Sequence, residues 1–359
     1  MKRKMCFVFA ISFTLLILSC GEIDIRNPFI AKAVSAGYWN SFAISTEGSL
    51  WAWGYNYGST PVKIGTDTNW KTVSEGGFQY HAMAIKTDGS LWALWRTELV
   101  QIEPDFSWKT ISAPADPIRY TAAIRQDGSL WIWGLNSDGQ FGNGTVISSN
   151  IPVLIKPEIK WESVSTGSGF TLAITEEGKL WAWGRNYYGQ LGNNSMLNSL
   201  VPVQVGDDED LEWQVISTGG DHSVAIKRDG SLWAWGSNKA DQLGDNLIQY
   251  SSVPVLIEPG TSWQGVSAGN EYTAAIKNDG TLWTWGSNCS GQLGSNSTAT
   301  SSIPVELEPG TRWQMVSAGW EHTLAIREDG SLWAWGFNNS GQLGDGTVKS
   351  RNYAVQIFH

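Results

Sequence analysis

The stretch Gly-Ser-Leu-Trp-Ala-Trp-Gly at 330–336 recurs letter for letter at 48–54 and 230–236, and with Lys for Ser at 178–184. Aligning on its Leu finds seven copies, at Leu50, Leu91, Leu130, Leu180, Leu232, Leu282 and Leu332, spaced 41, 39, 50, 52, 50 and 50 residues apart. A period this long signals stacked supersecondary units, either a solenoid or a propeller. Working outward from the stretch, each copy holds four short segments: Trp-x-x-Val-Ser, as at Trp313–Ser317; Thr-Leu-Ala-Ile, at Thr323–Ile326; the Leu-Trp-Ala-Trp-Gly segment; and Pro-Val-x-Ile, as at Pro254–Ile257. All four have the length and composition of strands. An acidic residue and Gly, as at Asp329-Gly330, joins the second to the third in every copy and marks a hairpin turn. Pro259-Gly260 and Pro309-Gly310 lead from the fourth segment to the next copy.

Four antiparallel strands repeated seven times predict an all-β, seven-bladed β-propeller. Side chains two apart on a strand share a face, so Trp333 and Trp335 point together into one inter-blade gap while Leu332 and Ala334 face the other neighbour. Of the 22 tryptophans, 19 fall in such repeat positions and are read as core. The chain opens on a first-type strand (Ala33-Val34-Ser35) and ends on a fourth-type strand (Ala354–Ile357). The expectation is that the ring closes by pairing the N-terminal strand, about 32–35, with the C-terminal strand, about 353–357, which would remove an exposed sheet edge.

Residues 1–19 read as a signal: Lys2-Arg3-Lys4, an apolar run from Met5 to Leu18, then Ile17-Leu18-Ser19-Cys20, which resembles a bacterial lipobox. Cleavage before Cys20 would lipidate its thiol, with residues 20–29 as anchor and short linker and 30–359 as the propeller. The chain carries a formal charge of −10. Removing 1–19 takes away three basic groups and leaves 21 basic against 34 acidic, or −13. Such a surface repels phosphate backbones and argues against nucleic acid as a partner. Cys6 leaves with the signal and Cys20 carries lipid, so Cys289 alone remains and no intramolecular disulfide can form.

The repeat W-x-x-V-S-x-G-x-x-H-T-x-A-I-x-x-D-G-x-L-W-x-W-G-x-N-x-x-G-Q-L-G resembles the regulator of chromosome condensation repeat family over residues 30–359. Gly336-Phe337-Asn338 and Gly341-Gln342-Leu343-Gly344 match it well. Copy two departs, with Leu94-Trp95 in place of Trp-Gly, and copies one and two lack the Gly-Gln-Leu-Gly loop. The resemblance implies the seven-bladed ring and a binding module. The family's eukaryotic founder exchanges nucleotide on a small GTPase through a wedge-like insertion that has no counterpart here. A secreted bacterial inhibitor of β-lactamases and a plant ultraviolet-B photoreceptor share the ring.

Variable loops on a rigid scaffold carry function, and the segments expected to cross between blades (Gly319–His322 and equivalents), which join the first segment to the second, differ most between copies. They read Tyr38-Trp39, Phe78-Gln79-Tyr80, Asp116-Pro117-Ile118-Arg119, Ser168-Gly169, Gly220-Asp221, Asn270-Glu271 and Trp320-Glu321. Ring closure sets copy seven beside copy one, so Trp320, Tyr38, Trp39, Phe78 and Tyr80 are expected to form one aromatic arc opposite a small, acidic side. Aromatic clusters of this kind are typical interface anchors; the competing arrangement folds the rings inward to plug the channel mouth. The candidate partner-binding set is Tyr38, Trp39, Phe78, Gln79, Tyr80, Ile118, Arg119, Asp221, Glu271, Trp320 and Glu321. The following position (Asn40, His81, Tyr120, Phe170, His222, Tyr272, His322) is structural in the family by resemblance, and its histidines fall in copies two, five and seven, too far apart to share a metal. No catalytic constellation, cofactor or metal site is expected. The reading is a monomeric, non-catalytic scaffold, lipid-anchored at a bacterial envelope and binding a protein there. Inhibition of an envelope enzyme, binding of a glycan, and nucleotide exchange are the alternatives.

Overall fold

The computed structural model describes residues 29–76, 82–115, 119–206, 212–246 and 249–358. Within them the chain forms seven four-stranded antiparallel sheets, each built from four consecutive strands, and no helix. Blade 1 comprises Ala31–Ala36, Asn40–Ser45, Leu50–Gly54 and Gly58–Ile64; blade 7 comprises Trp313–Ala318, His322–Arg327, Leu332–Gly336 and Arg351–Ile357. First strands of adjacent blades touch all the way round and line the central channel, and fourth strands form the outer rim. The second and third strands are apolar throughout because both of their faces are covered. Trp335 packs with Ile276, Leu282 and Leu307 of blade 6, whereas Leu332 and Ala334 pack with Ala31, Val34 and Trp53 of blade 1. The two tryptophans of each pair differ in depth. Trp335 is sealed, but Trp333 is half-buried beneath the Arg327 guanidinium, whose carbon lies 3.5 Å from the ring centroid. Its indole N–H donates to Ser331 Oγ (2.8 Å), which itself donates to Asp329 Oδ1 of the turn (2.6 Å). Gly330 supplies the positive φ (+81°) that this turn requires.

Three sets of polar bonds repeat around the ring. The Ser that ends the Trp-x-x-Val-Ser segment accepts the backbone N–H of the next blade at 2.9–3.1 Å, from Ser35 to Glu75 through Ser317 to Ala36, seven bonds in a closed circle. The first residue of each first strand donates its N–H to the turn glycine of the preceding blade at 2.8–3.0 Å, and Ala31 to Gly330 is one of these seven. At five junctions the Gln carbonyl of a blade's loop accepts two bonds from the next blade. One comes from an indole (Trp53, Trp183, Trp235, Trp285, Trp335) at 2.8–3.0 Å and one from a hydroxyl (Ser41, Thr171, Ser223, Thr273, Thr323) at 2.7–2.9 Å.

Ring closure differs from the expectation. Ala31–Ala36 pairs with Asn40–Ser45, and Arg351–Ile357 pairs with Leu332–Gly336, each inside its own blade. The strands about 32–35 and 353–357 cannot pair, because one lies on the channel and the other on the rim. The sequence repeat coincides with the blade, so neither terminal strand is left over. Blade 7 meets blade 1 as the other blades meet, face to face. The chain ends meet through side chains: Phe29 stacks on Phe358 (centroids 3.7 Å apart, 12° between planes), and both abut the Trp51 ring at 5.6 and 5.3 Å.

Candidate functional site

The crossings from first to second strand lie within a blade rather than between blades as expected, and in blades 1, 4, 5, 6 and 7 each is a tight turn in which a glycine N–H donates to the carbonyl three residues on, as in Gly37 to Asn40 (3.1 Å) and Gly319 to His322 (2.8 Å). The residue that closes the turn starts the second strand and is buried: Asn40, Tyr120, Phe170, His222, Tyr272 and His322 expose 6% or less. These are structural, as the resemblance implied. Ser41 Oγ gives its one proton to Gln342 O (2.7 Å), so His322 Nε2, 2.8 Å away, must be the donor in that pair. The same logic makes His222 Nε2 the donor to Thr273 Oγ1 (3.0 Å), which donates to Gln242 O. Burial holds each imidazole pKa down at about 3, so both rings are neutral, with the proton on Nε2.

The intervening two residues point away from the core, and at the junction of blades 7 and 1 they form an aromatic row. Tyr38 lies 4.8 Å from Trp320 and 4.7 Å from Trp39, ring centroid to centroid, and Trp39 lies 5.2 Å from Tyr55. The Trp320 backbone N–H donates to Gly37 O (2.9 Å), tying the two crossings together. Tyr38, Trp39 and Trp320 are half-buried and Tyr55 is exposed. Trp320 lines a shallow depression whose wall is otherwise formed by residues at the crossings of blades 3 to 6, among them Ser168, Gly220 and Asn270. The row thus runs from the channel mouth outward, part plug and part surface.

Glu75 underlies this row. It ends the first strand of blade 2, in a position held elsewhere by Ala36, Ala113, Thr166, Thr218, Ala268 and Ala318. Its carboxyl crosses the junction, accepting the Tyr38 N–H (3.1 Å) and Asn40 Nδ2 (3.2 Å). It fills the space a Cβ on Gly37 would need, so any side chain at 37 would push the carboxyl from its place. Burial pushes its pKa up to about 8, against the two hydrogen bonds, which pull it down. The same carboxyl, after burial, helps to raise the Tyr57 phenol.

Of the other candidates, Asp221 is bound to Arg185 (Oδ1 to Nη2, 2.6 Å), and burial raises its pKa against that attraction. Glu321 accepts Ser290 Oγ (3.2 Å), and Glu271 and Arg119 are exposed. Phe78, Gln79, Tyr80, Ile118 and Cys20 lie outside the described residues, as does the 1–19 segment. The structure brings together Tyr38, Trp39 and Trp320, and sets Asp221 and Glu271 on other blades of the same face. Sequence reasoning missed Tyr55 and Glu75. Both carried a signal: Tyr55 follows Trp-x-Trp-Gly where Leu135, Arg185, Ser237, Ser287 and Phe337 stand in other copies, and Glu75 is an acid in a slot of Ala and Thr.

Comparison with known proteins comes from three directions. A family model described as RCC1-like domain matches residues 109–358, and one for the regulator of chromosome condensation (RCC1) repeat matches 31–58. The mitochondrial RCC1 domain-containing protein RUG3 of Arabidopsis thaliana is 32% identical over 271 residues, 66% of this chain and 60% of that protein. The chain therefore spans about three-fifths of that relative's length. Yeast RCC1 (Prp20), in its structure bound to Kap60, superposes with a TM-score of 0.75 at 15% identity, covering 100% of this chain and 91% of that one. Human WBSCR16 superposes at 0.73 with 18% identity, covering 84% and 85%. At these identities the superpositions speak to the fold alone.

Proposed function

This chain belongs to the RCC1-like propeller family, and from that premise we propose that it is a non-catalytic scaffold that binds a protein through the inter-blade loop face. The observation that carries the reading is the contiguous aromatic row Trp320–Tyr38–Trp39–Tyr55 at the junction of blades 7 and 1. Large, semi-rigid rings with little charge among them anchor protein interfaces at low entropic cost. The acidic groups of the same face would discriminate among partners and steer the encounter more than add affinity. That yeast RCC1 has been seen bound to Kap60 supports a macromolecular partner for this architecture. The lipobox-like Ile17-Leu18-Ser19-Cys20 supports export and tethering through Cys20 to a bacterial membrane, with the partner at the envelope. The anchor would be 10 residues from Ile30, keeping the ring close to the lipid surface.

The test is in-cell cross-linking of the full chain, followed by comparison with a variant carrying Trp39→Ala, Tyr55→Ala and Trp320→Ala. The variant should lose the cross-linked protein while its urea midpoint stays close to the parent's. Capture that survives the triple substitution would reject the aromatic row as the interface. Growth with palmitate label and a Cys20→Ser control reads the anchor separately.

A further inference from the structure

The outer rim of a propeller is a ring of sheet edges, and an open edge offers unpaired backbone groups to another chain. Most edges here are closed by the same devices. At one position of the fourth strand five blades carry proline: Pro61, Pro152, Pro202, Pro254 and Pro304. Proline has no N–H to present there. In four of these strands a serine donates to the carbonyl two residues on at 2.6–2.7 Å, as Ser149 does to Ile151 and Ser301 to Ile303. The loop of the preceding blade also lies on the edge. Gly144 N–H donates to Leu200 O, Asn194 to Ser252 O, Asn296 to Asn352 O and Gly346 to Ser59 O, all at 2.8–2.9 Å. Blade 7 has Ala354 in the proline position, and there the loop adds a bridge between Ser295 and Tyr353.

The fourth strand of blade 2, Glu98–Ile102, has none of these devices. Leu99 stands at the proline position, no serine folds back on the strand, and blade 1 has no loop to lay over it. Its register shows which groups face outward. Trp95 and Glu98 flank a two-residue turn, with Arg96 at φ +55°, and the pairing runs unbroken from there to Leu91 and Ile102. Residues flanking such a turn exchange both hydrogen bonds, and bonded pairs alternate with unbonded ones. Glu98, Val100 and Ile102 therefore bond inward, and Leu99 and Gln101 turn their N–H and C=O groups to the rim. Among the described residues no backbone bond from outside the blade reaches them. The residues flanking 77–81 are the first and second strands of the same blade, and the third strand stands between them and this edge.

The two faces of the strand differ. Leu94 and Leu99 pack toward blade 1 among Phe42, Tyr57 and Trp92. On the other face Val100 exposes 54% and Trp95 57%, whereas Val62 and Val305, the most exposed counterparts of Val100, expose 36% and 37%. The edge is continuous with the aromatic row. Tyr57, two residues beyond Tyr55, donates its hydroxyl to Arg96 O (2.8 Å) in the turn from which the strand starts. Residues 95–106 carry three acids (Glu98, Glu103, Asp105) and one base.

We propose that this edge receives an extended segment of the partner protein as a fifth strand of blade 2. That segment sets an apolar residue against Val100 and Trp95 and carries basic residues at its flanks. An extended backbone is what matches N–H and C=O groups presented at every second residue. The proposal rests on the reading of a protein partner at the loop face and adds how part of that partner is held. A second copy would bring the same excess of acids to the edge, which disfavours it as the occupant.

The probe is the peptide Lys-Val-Thr-Val-Thr-Lys, added to the full chain labelled with ¹⁵N at leucine and glutamine. The Leu99 and Gln101 amide signals, assigned by their loss in Leu99→Pro and Gln101→Thr, should exchange readily with solvent in the free chain. With peptide they should shift saturably and gain protection. Leu99→Pro gives blade 2 the residue that five other blades carry, so it should melt close to the parent. It should bind the fluorescent peptide about fivefold more weakly, the loss of one hydrogen bond. If that variant does not fold, Val100→Lys charges the same edge and should weaken binding to a similar extent. A peptide methylated on its four central backbone nitrogens should not bind. Replacing both lysines of the peptide by glutamate should weaken binding severalfold, with the difference shrinking as salt is added. Signals that do not move at millimolar peptide, or amides already protected in the free chain, overturn the proposal. So do equal binding of the methylated or the glutamate peptide, and a dimer that Leu99→Pro dissolves. The aromatic-row triple variant should bind the peptide as the parent does, so failure of the edge and failure of the row are read separately.

Discussion

Replacing Glu75 by Gln should abolish the alkaline fall in this protein's stability. The carboxyl is buried at the junction of blades 1 and 2 and titrates at about 8 in the fold against an ordinary 4.5. Between those values the folded chain holds a proton that the unfolded chain has released. A raised acid of this kind stabilises fully below 4.5 and loses that contribution as pH rises through 8, at about 1.4 kcal/mol per pH unit. Taken over the whole window the loss is about 5 kcal/mol. His222 and His322 act in the opposite sense. Their folded pKa of about 3 lies below the ordinary 6.5, so they stabilise fully above 6.5 and lose that contribution as pH falls toward 3. Two histidines outweigh one glutamate below 6.5, and the glutamate stands alone above it. Stability should therefore peak near pH 6.5 and fall by about 2 kcal/mol by pH 8. Glu75→Gln gives up one of the two accepted bonds, because an amide nitrogen cannot take the proton of Tyr38 N–H or Asn40 Nδ2, costing about 1 kcal/mol at pH 5. At pH 9 the variant should be the more stable of the two. Urea unfolding followed by tryptophan fluorescence at fixed pH values from 5 to 9 reads both curves. Parallel curves, without a crossing, would show that Glu75 does not hold its proton in the fold, and the account of the junction would be wrong.

The Gln-carbonyl bonds make a second test. Trp335→Phe removes an indole bond of 2.8 Å, while Trp133→Phe removes none, so the first should cost about 1 kcal/mol more in urea unfolding. Equal costs would mean that the carbonyl contributes nothing to blade docking. Ser317→Ala and Ser217→Ala each strip the acceptor from a backbone N–H of the next blade, of Ala36 and Ala268 respectively, and each should cost about 1–3 kcal/mol. Similar losses at the two sites are expected because the closing junction uses the same bond as the others. A much larger loss at Ser317 would indicate a special closure.

Much of this architecture was legible because it is repeated. Two tryptophans at i and i+2, six times over in seven copies, cannot both be covered unless each strand has a neighbour on that face, which places sheets radially. The acidic-Gly pair located the hairpin, and the Ser of Trp-x-x-Val-Ser was visible as a recurrent letter, though its bond to the next blade was not. The aromatic row was legible in part. Trp320, Tyr38 and Trp39 come together because the first and last copies are neighbours, which a ring demands. Tyr55 was missed because it sits 16 residues from Trp39, on the far side of a hairpin, and only the pairing of Asn40 with Gly54 brings it near.

From the amino acids alone came the number of blades, the face each tryptophan takes and the loops left free to vary, since all three follow from the period and from the two-residue alternation of a strand. Tertiary structure decided how the circle shuts, that the Glu75 carboxyl occupies the space beside Gly37, and that Trp133 lacks the Gln carbonyl its five counterparts reach. Those depend on which atoms of one blade lie within 3 Å of the next. Such distances are set by packing between segments far apart in the chain, and a linear pattern of residues does not contain them.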